Sequence, residues 1–208
     1  MIAGMLHLGR RECKALGITD PYSIHRLVYS LFEDVRSAEE KRASCPSGIL
    51  YADKGGDFRG RRILLLSDRP PSPPAHGELI CKTIPDDFLE HDRYGFEVTV
   101  NPTRRDSASG KLVAVRGREA VSGWFIERAR RSWGFSVDPA RLQLLNLGVQ
   151  RLRKGEQLLT HGSATLKGVL QVSDRERFRS SFRQGIGRGR AFGFGLLQIV
   201  PLAGPFEF

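Results

Sequence analysis

The run Arg69-Pro-Pro-Ser-Pro-Pro-Ala-His76 constrains this chain more than any other feature. Each proline lacks an amide donor and its ring clashes with the preceding turn, so the segment cannot be a helix. It separates two strand-like runs, Arg61 to Ser67 and Glu78 to Ile84, and forces their connection to be an extended loop. A third run spans Gly48 to Ala52, and a first candidate strand lies at Ile2 to Leu8. Between them, Asp20-Pro21 marks a helix start: the aspartate can accept from the open amides of the first turn, and proline fits the first helical position. Ile24, Leu27, Val28, Leu31 and Phe32 then recur at the helical period, giving one core-facing side. The first part of the chain reads β-α-β-β-loop-β.

After an acidic linker, Asp86 to Asp92, the pattern repeats with a different composition. Tyr94 to Val100 alternates like a half-buried strand, and Asn101 to Arg116 is a polar excursion with hairpin character around Ser109-Gly110-Lys111. A helix is expected from about Arg118 to Trp133, with Val121, Trp124, Phe125 and Ala129 on one face. Strands are expected at Leu142 to Arg151 and Thr165 to Val172. Ser173-Asp174-Arg175-Glu176 reads as a capping box for a helix carrying Phe178 and Phe182, and a strand at Leu196 to Leu202 ends the pattern. The second half thus reads β-α-β-β-α-β, the first half the same with a loop in place of the second helix, which predicts an α+β protein of two tandem ferredoxin-like units, residues 1–85 and 94–208, each an antiparallel sheet with helices on one face.

The net charge is +10, and 26 of the 33 basic residues are arginine, which favours multidentate binding of phosphate. Residues 1–92 hold 13 basic and 14 acidic groups, whereas residues 93–208 hold 20 and 9, so the whole excess lies in the second half. A polyanion, nucleic acid first, is the expected partner. No apolar run is long enough to cross a bilayer and no signal-peptide pattern opens the chain, which predicts a cytoplasmic protein with no membrane partner. Cys13, Cys45 and Cys81 are widely spaced, and five histidines show no ligand spacing, so no metal and no small-molecule cofactor is expected.

Two constellations could carry chemistry. On the first helix, Tyr22, His25 and Tyr29 fall along one flank; a histidine there can exchange protons at neutral pH and a phenol can orient a hydroxyl. By spacing alone the same stripe also fits a histidine that only borders the core. The second is Arg183-Gln-Gly-Ile-Gly-Arg-Gly-Arg-Ala-Phe-Gly-Phe-Gly195, in which glycines permit close backbone approach to an anion and Arg183, Arg188 and Arg190 supply charge. It is not a dinucleotide fingerprint, because Arg190 or Phe192 stands where the third glycine would be. Arg190 to Phe194 partly matches an RNA-recognition motif, but only 14 residues follow it, which favours Phe192 and Phe194 as core or loop anchors.

Tyr22-Ser-Ile-His-Arg-Leu-Val-Tyr-Ser-Leu-Phe32, the stretch Val98 to Lys111 around Asn101-Pro102, and Gly185 to Leu197 together resemble CasE, the type I-E, Cascade-associated family of CRISPR repeat-processing endoribonucleases. Arg190 departs from the lysine frequent in that family, and the proline run replaces a second helix in the first unit. The resemblance implies two RRM-like, RAMP-type ferredoxin folds, a CRISPR repeat stem-loop RNA as substrate, other Cascade subunits as partners, and His25 as catalytic residue with Tyr22 beside it. Cleavage of RNA through its own 2′-OH needs no metal and leaves a 2′,3′-cyclic phosphate and a 5′-hydroxyl; whether His25 acts as base or acid stays open. The expected RNA-binding residues are Arg104, Arg105, Lys111, the loop positions Gly187, Arg188, Gly189 and Arg190, and Arg151, Arg153 and Lys154 on a groove-entering hairpin. A non-catalytic RNA-binding structural subunit is the main alternative, since it would share the charge and the fold.

Overall fold

The structure is a computed structural model that describes residues 1–43, 45–154 and 157–202, with side chains for all of these except 152–154 and 157–159. The chain runs β1 (Ile2–Leu8), α1 (Arg10–Ala15), α2 (Pro21–Ser30), α3 (Ala38–Arg42), β2 (Ile49–Asp57), β3 (Gly60–Ser67), β4 (Glu78–Thr83), β5 (Arg93–Val100), β6 (Thr103–Arg105), β7 (Leu112–Ala114), α4 (Arg118–Arg128), β8 (Phe135–Val137), β9 (Gln143–Lys154), β10 (Gln157–Val172), α5 (Arg175–Gln184) and β11 (Gln198–Pro201). Four strands form one antiparallel sheet in the order β2-β3-β1-β4. The second sheet follows β11-β5-β10-β8, the same pattern in space, so both halves are ferredoxin-like.

In the first half the proline run does form a loop, tied down where the Ser72 amide donates to the Leu31 carbonyl at 2.7 Å. The apolar run Ile49 to Ala52 is buried throughout, and so is Ile63 to Leu66 apart from a half-buried Leu64. Ile49, Tyr51, Ile63 and Leu65 pack under α2 with Ile24, Val28 and Leu31. Leu50, Ala52 and Leu66, which alternate with them, join the core of the second half. The first sheet is thus the wall on which α2 and the second half are both mounted.

The second half departs from the sequence reading at several points. The second strand of its ferredoxin pattern is the three-residue β8, not the expected run from Leu142. That run, as β9, instead folds back along β10 in a long hairpin off the main strand path. The helix expected to reach Trp133 is α-helical to Arg128 and widens into a π-turn over Ala129–Trp133, closed by Gly134 at φ 79°. α5 is capped by Asp174, whose carboxylate accepts from the Arg177 amide at 3.0 Å. The helix therefore starts one residue later than the Ser173 capping box predicts, with the amides of both Ser173 and Asp174 donating to the Gly134 carbonyl. The last strand is shorter than expected, Gln198–Pro201, and a 3-10 turn at Asp86–Leu89 sits within the acidic linker.

Candidate active site and nucleic-acid interface

α2 begins as its sequence dictates. Asp20 accepts the Ser23 amide at 2.8 Å, and the Ser23 hydroxyl accepts the Asp20 amide at 3.1 Å, closing the first turn from both sides. Ser23, Ile24 and Val28 are buried, which fixes the helix rotation and sets Tyr22, His25 and Tyr29 on its flank. The His25 ring lies 4.3 Å from that of Tyr29 and is stacked at 5.9 Å on Tyr22. Tyr29 is therefore nearer than Tyr22; its hydroxyl pairs with that of Ser47 at 3.0 Å.

The glycine-rich segment comes to this flank from the other half of the chain. Residues Arg190–Phe192 form a 3-10 turn between Gly189 at φ 78° and Gly193 at φ 83°, conformations that side-chain-bearing residues rarely adopt. Gly195 is required for space as well, since a Cβ there would lie 2.2 Å from the Ile186 carbonyl oxygen. His25 Nδ1 is 2.7 Å from the Ala191 carbonyl oxygen. A carbonyl can only accept, so Nδ1 carries the proton, and the lone pair of the neutral ring is on Nε2. The same oxygen accepts from the Tyr51 hydroxyl at 3.1 Å. Burial pushes the Tyr51 phenol far up, so it stays protonated and a donor. Phe192 packs its ring against His25 and against His161, each at 5.5 Å, and Phe194 is fully buried below. Both phenylalanines are loop anchors.

Of the expected RNA-binding residues, Arg104, Arg105, Gly187, Arg188, Gly189 and Arg190 line one cleft of about 1220 Å³. Arg128 and Arg131 add to it and Glu127 is the one acid among its lining residues, so its wall is strongly positive. Arg188 is bridged to Asn101, and Arg190 is held by a bond from Nη1 to the Gln184 carbonyl at 2.7 Å. The loop amides do not simply point at an anion: those of Ile186, Phe192, Gly193 and Gly195 donate to carbonyls within the protein. Arg190 also lines a second cleft of about 520 Å³ with Tyr29, Ser47, Arg183 and Phe192. Lys111, exposed beside β7, and Arg151, exposed on β9, line neither cleft. The side chains of Arg153 and Lys154 lie outside the described residues.

His161 and Tyr51 were not singled out from the sequence. His161 sits on β10 opposite Gln150 of β9, and burial pushes its pKa below the usual histidine value. Its Nδ1 and the Gln150 Oε1 are buried without a hydrogen-bond partner among the described residues. Only the alternation around a strand reaching back to Gln157 could have flagged it.

Residues 5–201 match the family model described as CRISPR associated protein. The chain belongs to that family. Among its relatives is the CRISPR-associated endoribonuclease Cse3 of Thermus thermophilus, 34% identical over 119 residues. That alignment covers 52% of this chain and spans 56%, little more than half, of the relative's length. The structure of the endoribonuclease Cse3 bound to a 19-nucleotide RNA superposes with a TM-score of 0.79 at 21% identity, covering 97% of this CRISPR-associated chain and all of that one. The CRISPR-associated protein Cas6e from Escherichia coli K-12 gives 0.71 at 19% identity, with 97% and 100% covered. These matches bear out the resemblance to the type I-E CasE group and the paired ferredoxin-like fold.

Proposed function

We propose that this protein is an endoribonuclease that cuts CRISPR precursor RNA within the repeat stem-loop and retains the product as a subunit of Cascade. The observation that carries this reading is the hydrogen bond between His25 and Ala191, which joins a proton-transfer group from one half to a glycine-rich, arginine-bearing loop from the other. With the proton on Nδ1, His25 suits the role of general base through Nε2. In the proposed step Nε2 takes the proton of the 2′-OH as its oxygen attacks the adjacent phosphorus. The P–O5′ bond breaks, the departing oxygen takes a proton from water, and His25 then returns the proton it took to solvent. The products are a 2′,3′-cyclic phosphate and a 5′-hydroxyl, and the nucleophile belongs to the RNA, so the step calls for no metal. Tyr22, one turn before His25, orients the 2′-OH or a phosphate oxygen.

Binding is assigned to the second unit, residues 94–208, and catalysis to the helix carried by residues 1–85; residues 203–208 lie outside the described residues. Arg104, Arg105, Arg188 and Arg190 hold phosphates along the larger cleft, and Gly187 and Gly189 let the backbone come close. Lys111, Arg151, Arg153 and Lys154 contact the stem outside that cleft. The test is incubation of purified protein with a labelled repeat hairpin from the CRISPR array of the same genome, in excess chelator. Cleavage to a cyclic-phosphate end is expected; activity that vanishes in chelator and returns on adding magnesium or zinc would overturn the mechanism.

A further inference from the structure

We propose that Tyr51 is a positioning residue that sets the tautomer of His25, acting through the Ala191 carbonyl. The inference rests on the reading of His25 as the proton-transfer group. The carbonyl oxygen of Ala191 receives two donors, His25 Nδ1 at 2.7 Å and the Tyr51 hydroxyl at 3.1 Å. The turn that carries it has little to fix its direction from within: it is flanked by Gly189 and Gly193, and its own backbone bonds are Phe192 to Gly189 at 2.8 Å and Gly193 to Arg190 at 3.4 Å. The Ala191 carbonyl accepts from His25 and Tyr51, both outside the turn, and a swing of the carbonyl would release Nδ1.

Tyr51 opposes that swing from a rigid base. It lies in β2, paired with Leu65 of β3, and is 1% exposed. The turn rests on its ring as well as on its hydroxyl, because a Cβ at Gly193 would stand 3.0 Å from Tyr51 Cε2. The hydroxyl donates to a carbonyl oxygen, which has no proton to pass on, and burial pushes the phenol pKa up. Its role is orientation. An imidazole with no fixed acceptor at Nδ1 exchanges between its two neutral tautomers, and only the one protonated on Nδ1 presents a base at Nε2. The arrangement parallels that of metal-bound histidines, whose second nitrogen is oriented by a carbonyl or carboxylate.

The test is Tyr51→Phe, which deletes the hydroxyl and keeps the ring. In the free protein labelled with ¹⁵N-histidine, the wild type is expected to show His25 as the single Nδ1–H tautomer above its titration, and Tyr51→Phe to show mixed tautomers with a lower titration midpoint, since the imidazolium loses part of its acceptor. Single-turnover cleavage of the repeat hairpin is expected to fall about tenfold, the low end of the effect known for such orienting partners. Affinity for the hairpin with a 2′-deoxy nucleotide at the cut site is expected to stay within about twofold, because its contacts are to arginines. Thr165→Val, which deletes a half-buried hydroxyl bonded to Thr99 at 3.0 Å, controls for the generic cost of such a deletion and is expected to leave the tautomer unchanged. Should Tyr51→Phe fail to fold, Gly193→Ala presses on the Tyr51 ring from the turn and is expected to mix the tautomers in the same way. A single Nδ1–H tautomer retained in the variant, or a raised midpoint with the tautomer intact, would overturn the proposal. A wild-type protein that holds the tautomer yet cuts no RNA would instead overturn the functional reading.

Discussion

Asp20→Ala tests how much the cap that starts α2, the helix carrying His25, stabilises the protein. The carboxylate accepts the Ser23 amide at 2.8 Å, and Ser23 is 5% exposed, so water cannot readily replace the lost acceptor. Losing an N-cap costs about 0.5–2 kcal/mol, and the burial of this one places it in the upper half, about 1.5 kcal/mol. The reciprocal bond from the Asp20 amide to the Ser23 hydroxyl survives and keeps the cost from rising further. For a chain of this size that amounts to a fall in Tm of about 3–6 °C. Asp20→Asn retains an acceptor and loses only the charge at the helix start, for about 0.5 kcal/mol. Thermal and guanidinium unfolding of the three proteins would measure both. A melting temperature for Asp20→Ala within about 1 °C of the wild type, or an equal loss for Asp20→Asn, would refute the assignment of the cap.

Binding of the repeat hairpin should weaken steeply as salt rises, and Arg188→Ala or Arg190→Ala should each lower the slope of log affinity against log salt by about one; an affinity indifferent to salt would remove the basic cleft from the account. The depressed pKa of His161 has a stability consequence. The unfolded chain binds a proton at this site at higher pH than the folded one does, so stability should fall as pH drops below the ordinary histidine value, and His161→Phe should flatten that dependence in melting curves taken from about pH 7.5 to 5.5. Equal acid sensitivity in both proteins would show that other groups set it.

The parts of the fold that were legible in the sequence are those where local chemistry acts alone. Asp20-Pro21 announces its helix, the prolines forbid one, and the step from Tyr22 to His25 to Tyr29 gives the flank directly. β8 was missed because three residues after a widened helical turn carry no period. Tyr51 reads as one more apolar-run residue, and its hydrogen bond reaches across 140 positions to a carbonyl, a group every residue possesses. The same holds for His161: its contacts with Phe192 and Phe194 arise from how the β10 strand and the glycine-rich loop pack, which no spacing encodes. Candidate residues were thus visible where side-chain type signals chemistry, while their orientation depended on tertiary contacts.

His25→Ala separates proton transfer by His25 from the holding of the RNA by arginines of the other half. Single-turnover cleavage of a labelled repeat hairpin, run beside a binding titration with the same hairpin carrying a 2′-deoxy nucleotide at the cut site, measures both quantities on one substrate. A cleavage rate lowered by about 10² to 10⁴ is expected, with affinity nearly unchanged. A variant that cuts at the wild-type rate would contradict that role for His25.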